Sequence, residues 1–202
     1  KTSVEDVVLG LVPMAMGFLV GAPTSAAFVA KTNAKVVMSV GMLLVAIAVG
    51  SMAFLDVGTT YWLTGSLIFL MGLGMANTMA PATDSVMAAV PEAQAGVGSA
   101  LNDTVRQIGG ALGVGIFGSI MSSVYASSMT DAVVGLPTAA ADAASNQIGA
   151  ALQVAGSLED GAGGELVTAS KQAFIDGASS VYIIAGIVAL IGMAFVVKFM
   201  PG

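Results

Sequence analysis

The sequence lacks two residue types on which much protein chemistry depends. Its 202 residues include no Cys and no His, and only 9% of them are charged. Without Cys the chain has no disulfides, iron–sulfur clusters or thiol nucleophiles, and without His it lacks the usual zinc ligands and imidazole bases. A net charge of −6 without any basic run is atypical of nucleic-acid-binding proteins. We therefore expect neither an enzyme nor a metal site, and no nucleic-acid partner.

Hydrophobic residues make up 56% of the chain, and the few charges cluster between long apolar stretches. Soluble domains carry roughly 25% charged residues, enough to cover their surface. Each charge-free stretch is about as long as the ~20 residues that a helix needs to cross a bilayer. The sequence therefore predicts an all-α integral membrane protein with five transmembrane helices, at about 7–30, 36–55, 61–83, 107–125 and 177–197.

The basic residues predict the sidedness of these helices, because Lys and Arg in short loops favour the cytoplasm. One orientation places Lys31, Lys35, Arg106 and Lys198 inside, whereas the other places only two of the six basic residues there. We therefore expect the first helix to begin outside and residues 198–202 to be cytoplasmic. Four aromatic residues then fall at the outer interface, as in an aromatic belt: Tyr61, Trp62, Tyr125 and Tyr182.

The only long segment outside the predicted membrane helices, residues 126–176, is acidic and rich in Ala, Ser and Gly. Its spacing predicts two short helices, over 142–158 and 165–176, which are separated by the glycine-rich run 161–164. A solvated linker with two surface helices is the favoured interpretation, and an external lid or partner site is the alternative.

The third predicted helix carries candidates for a substrate path. Met71, Met75 and Met79 recur every four residues and share one face. Such adaptable side chains suit apolar binding surfaces, although they also fill ordinary helix contacts. Asn77 lies on a different face, and an amide inside a bilayer needs a partner, either in a cavity or on a neighbouring helix.

Small residues mark the predicted packing faces of the membrane helices. Gly74 and Pro81 share the face of Asn77, and Gly109, Gly110 and Gly113 allow close approach to the fourth helix. Residues 113–118 also match the G-x-G-x-x-G dinucleotide fingerprint. No strand precedes them and no acid follows about 20 residues later, so helix packing is the better interpretation.

Charged residues near the predicted inner membrane edge are candidates for a cytoplasmic gate. Asn102 or Asp103 is expected to cap the fourth helix. Arg106 needs an anionic partner, and Asp84 on the neighbouring helix is the obvious one. A gate latch and a static ion pair or lipid-phosphate contact are both open interpretations. Since no charged residue lies deep in any predicted helix, the chain cannot hold a complete proton pathway.

Two segments resemble one transporter family. Residues 72–84 read Gly-Leu-Gly-Met-Ala-Asn-Thr-Met-Ala-Pro-Ala-Thr-Asp, and residues 95–113 read Ala-Gly-Val-Gly-Ser-Ala-Leu-Asn-Asp-Thr-Val-Arg-Gln-Ile-Gly-Gly-Ala-Leu-Gly. Together with the acidic segment and the ending Lys198-Phe-Met-Pro, they closely resemble the late helices of the fourteen-span drug:proton antiporters of the major facilitator superfamily. The resemblance covers essentially the whole chain and implies the last five of fourteen helices.

The resemblance implies a proton-coupled multidrug efflux transporter of the bacterial plasma membrane, which works by alternating access and confers antibiotic resistance. Its partners would be the lipid bilayer, hydrophobic or cationic small molecules and a missing N-terminal half. It would need no cofactor beyond the proton gradient. The first, third and fourth helices would line the central cavity, which places Met71, Met75, Asn77 and Met79 near the substrate path.

The loop after the first helix would be a second copy of the family's cytoplasmic motif. Ala30 replaces its acid and Asn33 its glycine, so only Lys31 and Lys35 remain as gate candidates. A dedicated metabolite or siderophore exporter of the same fold is one alternative. A non-transporting five-span scaffold or degenerate gene product is another, and the presence of upstream helices discriminates it from a transporter.

Overall fold

The computed structural model describes residues 4–56, 58–158 and 160–200, with side chains from residue 10 onward except at 160. Lys1 and Glu159, which contribute to the expected sidedness and to the acidic segment, lie outside the described residues. The described chain is helical, with one short 3₁₀ helix at Glu92–Gln94. Its α-helices are α1 (Val4–Lys31), α2 (Ala34–Met52), α3 (Tyr61–Ala88), α4 (Ala95–Met129), α5 (Thr138–Asn146), α6 (Ile148–Ala155) and α7 (Asp160–Phe199).

Five of these helices are long and apolar enough to cross a membrane: α1, α2, α3, α4 and α7. The prediction of an all-α membrane protein with five transmembrane helices is therefore confirmed. The helices α4 and α7 have 35 and 40 residues. At 1.5 Å per residue they are roughly 50–60 Å long, so each extends well beyond the ~30 Å hydrocarbon core of a bilayer.

The start of α4 differs from the prediction. The helix begins at Ala95, after a turn in which the Gln94 amide donates to the Pro91 carbonyl at 2.8 Å. Asn102 and Asp103 are therefore inside the helix, and the prediction that one of them caps it is wrong. Pro91 is the last proline before the helix, and none occurs between Ala95 and Met129, so no residue breaks the helix where we expected a polar connection.

The glycine-rich run 161–164 also differs from the prediction, because it lies inside α7 and does not interrupt it. A Cβ at Gly163 would come within 2.6 Å of the Ala155 carbonyl oxygen. The glycine therefore allows a close approach between α7 and the end of α6. The break in this segment falls instead at Gln147, whose extended backbone separates α5 from α6.

The described residues form two compact units, of which the first comprises residues 4–52, 59–110 and 183–200. Its centre is α3, against which both α1 and α2 pack, while α1 and α2 contact each other much less. These contacts depend on glycine. A Cβ at Gly72 would lie 2.5 Å from the Met14 carbonyl oxygen of α1, and a Cβ at Gly74 would lie 2.6 Å from the Gly41 oxygen of α2.

The second unit comprises residues 53–56, 58, 111–158 and 160–182. Its core consists of one aromatic, two long aliphatic or thioether side chains and several alanines: Tyr125, Met129, Ala144, Ala151, Ala155, Leu166 and Ala173. The Tyr125 hydroxyl donates to the Ala144 carbonyl at 3.1 Å. Residues 126–176 are therefore part of a packed helical unit and not the solvated linker that the composition favoured.

The aromatic residues of the expected belt have different surroundings. Tyr61 and Trp62 are exposed and meet edge to face, with their ring centroids 6.1 Å apart. Tyr125 is only 3% exposed because it belongs to the core of the second unit. Tyr125 therefore packs against protein and does not present its ring in an exposed belt, while its place at the outer interface stays a prediction.

The close contact of α1 with α3 predicts the effect of adding one methyl group. Replacing Gly72 by Ala should lower the free energy of unfolding by about 1–3 kcal/mol, because the new Cβ meets backbone that cannot give way. The measurement is the thermal unfolding midpoint of the complete protein in detergent. Gly65→Ala is the matched control on the same buried helix face, since its Cβ would have its nearest neighbour, Pro13 Cγ, at 3.6 Å. Equal midpoints for both variants would contradict the prediction.

Candidate membrane site on α3

Two faces of α3 carry the residues that we singled out from the sequence. At about 100° per residue, Asn77 lies roughly 160° around the helix from Met75 and from Met79. Gly72 contacts α1 and Gly74 contacts α2, and these two flanks separate the methionine face from the Asn77 face. The structure therefore does not bring Asn77 and the methionines into one cavity, although they are on one helix.

The Asn77 face closes a groove between α1 and α2, which we call the α1–α2 groove. Its cavity has a volume of about 360 Å³. Apolar side chains and two threonines from α1–α3 line it together with Asn77: Val20, Thr24, Phe28, Thr32, Val36, Val37, Val40, Leu44 and Leu73.

The hydroxyl groups add little polarity to this groove. Thr24 Oγ1 donates to the Val20 carbonyl at 2.8 Å, and Thr32 Oγ1 donates to the Phe28 carbonyl at 2.7 Å. Both bonds are within α1 or at its end, so the hydroxyls are satisfied by their own helix and the groove surface is essentially hydrocarbon.

Asn77 is 8% exposed, and its amide Nδ2 donates to the Leu73 carbonyl oxygen at 2.8 Å. This bond is within α3, so in the described residues the Asn77 side chain does not join two helices by a hydrogen bond. Of the two roles that the sequence left open for the amide, the geometry favours facing a cavity over linking helices.

The methionine face has an intermediate environment. Met71, Met75 and Met79 are each half-buried, and the glycines that bring α1 and α2 against α3 lie on its other sides. Three flexible, polarizable side chains are therefore available for contacts beyond the three-helix cluster.

The gate candidates are not joined to one another by ion pairs. Asp84, Asp103, Arg106 and Lys31 are exposed and Lys35 is half-buried, and no ion pair joins any two of them within the part of the chain that the structure describes. The expected pair between Asp84 and Arg106 is thus not formed in this structure.

The loop that carries Lys31 and Lys35 has an ordered turn that the sequence reading missed. Asn33 Oδ1 accepts a hydrogen bond from the Val36 amide at 2.9 Å, which is the arrangement of a helix N-cap. The resemblance aligns Asn33 with a glycine of the family motif, and in the structure the Asn33 side chain caps the start of α2. The signal in the sequence was an Asn shortly before an apolar run, which is a typical N-cap position.

Some predicted packing residues contact other helices and others do not. Gly74 and Pro81 are buried. A Cβ at Gly109 or Gly110 would meet nothing within 4 Å, and one at Gly113 would meet only Phe117 of its own helix. Packing through these three glycines stays a prediction that concerns helices outside the described chain.

The sequence reading missed the small-residue stripe on α1, at Gly17, Gly21 and Ser25. A Cβ on either glycine would collide with α3, Gly17 with the Phe69 oxygen and Gly21 with the Ala76 Cβ. Ser25, one turn further, is fully buried, and its hydroxyl has no hydrogen-bond partner among the described residues. The four-residue spacing of these small residues is the signal that could have found them.

Comparison with known proteins gives a consistent set of matches. A sequence model of the Major Facilitator Superfamily matches residues 3–114, more than half of the chain. The tetracenomycin C resistance and export protein of Streptomyces glaucescens is 31% identical over 191 residues, which cover 91% of this chain and 35% of that protein.

Two further relatives are also drug-resistance or efflux proteins. The methyl viologen resistance protein SmvA of Salmonella typhimurium is 30% identical over 164 residues, 81% of this chain and 32% of that protein. The multidrug efflux pump LfrA of Mycolicibacterium smegmatis is 29% identical over 134 residues, 64% of this chain and 26% of that protein. The chain therefore spans about a third or less of the length of the curated relatives described here.

The local hydrogen bond of Asn77 predicts a small effect of its removal on stability. Asn77→Leu should change the free energy of unfolding by less than about 1 kcal/mol, because the Leu73 carbonyl keeps its helical backbone bond. The measurement is the thermal unfolding midpoint of the complete protein in detergent. Ala76→Leu, one position away against Gly21, is the control and should destabilise strongly. A large loss for Asn77→Leu would mean that its amide does link helices.

Proposed function

Because the chain belongs to the Major Facilitator Superfamily, we propose that it is the C-terminal part of a proton-coupled multidrug efflux transporter that works by alternating access. The observation that carries this proposal is the match of most of the chain to proteins of drug resistance and export. Their origin in bacteria supports a place in the bacterial plasma membrane, with the first helix beginning outside and residue 198 inside. The proposed substrates are hydrophobic or cationic small molecules.

The three-helix cluster suits a transporter that moves by rigid-body rocking. Alternating access in this superfamily turns one helix bundle against another around a central site. Glycine contacts hold α1 and α2 against α3 at backbone distance, so that the three helices shift as one body. The methionine face of α3 is then the face proposed to meet substrate, because its adaptable side chains accommodate ligands of different shape.

Proton coupling requires a protonatable group on the transport path. In the described residues of α3 and α4, the acids Asp84 and Asp103 are exposed and lie in the last or early turns of their helices. We therefore assign coupling to a carboxylate in the part of the complete transporter that this chain does not include. Asp84, Asp103 and Arg106, with Lys31 and Lys35, are proposed to act at the cytoplasmic gate.

The decisive test is dye export by the complete protein. It would be expressed in bacteria without their own efflux pumps and loaded with a fluorescent cationic dye. Export that stops when a protonophore collapses the proton gradient is the expected result. No export, together with a native mass near the 19.9 kDa of this chain, would overturn the transporter proposal in favour of a non-transporting membrane protein.

The Arg106 guanidinium generates a prediction about the gate. Arg106→Ala should lower dye export about tenfold with normal membrane insertion, because a charge-assisted hydrogen bond is lost in one state of the cycle. Lys198→Ala, which removes a different exposed basic residue, in the last turn of α7, is the control and should export normally. Normal export by Arg106→Ala would leave only a static interfacial role for this residue.

The methionine face generates a prediction about substrate choice. Met75→Ala should change the ratio of export rates for two dyes of different size by at least about threefold, because apolar contacts to substrate are lost unequally. Met38→Ala is the control, since Met38 is 8% exposed in the interior of the first unit. It should lower expression and leave the ratio unchanged. An unchanged ratio in Met75→Ala would assign the methionines to helix packing.

A further inference from the structure

The α1–α2 groove has one basic end. Thr32 and Val36 line it where α1 gives way to α2, and Lys31 and Lys35 are their immediate neighbours in the chain. From there the groove continues past Val40 as far as Val20 and Leu44. The basic end of the groove and its apolar walls are therefore formed by the same two helices.

The length of the groove matches one membrane leaflet. Twelve residues separate Thr32 from Val20 on α1, and eight separate Val36 from Leu44 on α2, which correspond to about 18 Å and 12 Å along the helix axes. Half of the hydrocarbon core of a bilayer is about 15 Å. An acyl chain that starts at the Lys end would lie in the groove over most of the depth of its leaflet.

The groove is open along its sides. The side chains of Val20, Phe28, Val36 and Val40 are 42–56% exposed. These residues belong to helices that are long and apolar enough to cross a membrane, where an exposed apolar side chain can contact lipid. Asn77 lies at the level of Gly41 of α2, on the side of α3 opposite the methionine face, so this groove is separate from the surface proposed to meet substrate.

The charges at the basic end of the groove favour the binding of a phosphate group. Neither Lys31 nor Lys35 has an ion-pair partner among the described residues, and each can reach a headgroup at the membrane surface. The exposed carboxylate of Asp84 lies toward the same end of α3, so the three helices that line the groove carry two positive charges and one negative charge at this end. Basic sites between membrane helices are typical places for anionic headgroups.

We propose that the α1–α2 groove binds one anionic glycerophospholipid, with an acyl chain between α1 and α2 and the phosphate at Lys31 and Lys35. The proposal needs membrane insertion of the chain but not drug export. The bound lipid would fill the space between two helices that contact each other little and would hold them on α3.

Native mass spectrometry of the complete protein tests this site. The purified, delipidated protein is titrated with phosphatidylglycerol and, in parallel, with phosphatidylcholine of the same acyl chains. We expect one adduct of phosphatidylglycerol that is clearly tighter than any of phosphatidylcholine. The double variant Lys31→Gln/Lys35→Gln should weaken it by roughly tenfold to thirtyfold, because each basic residue near an anionic surface contributes a factor of about five.

Two variants of α2 test the apolar part of the groove. Val40→Phe fills the groove and should abolish the tight adduct, whereas Ile47→Phe should preserve it. Both residues are 49% exposed, and only Val40 lines the groove. Lys198→Gln is the matched control for the lysines and should bind phosphatidylglycerol normally. A photoreactive phosphatidylglycerol with the reactive group in its acyl chain should label residues 36–44.

Three results would overturn the proposal. They are equal binding of the two lipids, an undiminished adduct in Val40→Phe, and displacement of phosphatidylglycerol by an exported dye. The last result would make the groove a drug site, and the second would mean that another helix of the complete protein covers it. Because adducts are counted without any transport, failure of dye export would leave the lipid result interpretable.

Discussion

Backbone contact between helices is the constraint on which the membrane part of this structure depends. Lipid is as apolar as the side chains of a membrane helix, so burying those side chains against each other gains little. What holds α1 and α2 on α3 is close packing, and Gly17, Gly72 and Gly74 remove the Cβ atoms that would prevent it. The two faces of α3 left between these contacts become the methionine face and the floor of the groove.

The membrane helices could be predicted from the sequence because charged side chains are costly in hydrocarbon, so a long stretch without them indicates a span. Five charge-free stretches predicted five helices, and residues 72–84 and 95–113 identified the family, which is confirmed. The ends of α4 and α7 were not predictable in the same way. Small residues such as those at 161–164 are compatible with a turn or with a helix, and only their neighbours, here the end of α6, decide between them.

The candidate site was predicted in part. Periodicity alone separates Asn77 from Met75, but it does not say which side of α3 faces α1, α2 or open space. That depends on Gly72 and Gly74, whose contacts join residues far apart in the chain. The role of Asn33 as a cap could be predicted from the sequence. The α1–α2 groove could not, because it forms only when α1 and α2 are both packed on α3.

The serine and threonine side chains change how the polarity of these helices should be counted. Hydroxyls of Ser39, Thr78, Thr83 and Ser85 each donate to the carbonyl four residues earlier. A hydropathy scale scores them as polar, yet the hydroxyl donor is already satisfied by the helix, and the threonines also present a methyl group to the hydrocarbon. Exchange of such residues with Ala or Val during evolution would therefore change the free energy of membrane insertion very little. The exchange would instead change the bending of the helix, because a carbonyl that accepts a second hydrogen bond holds its own helical turn less rigidly.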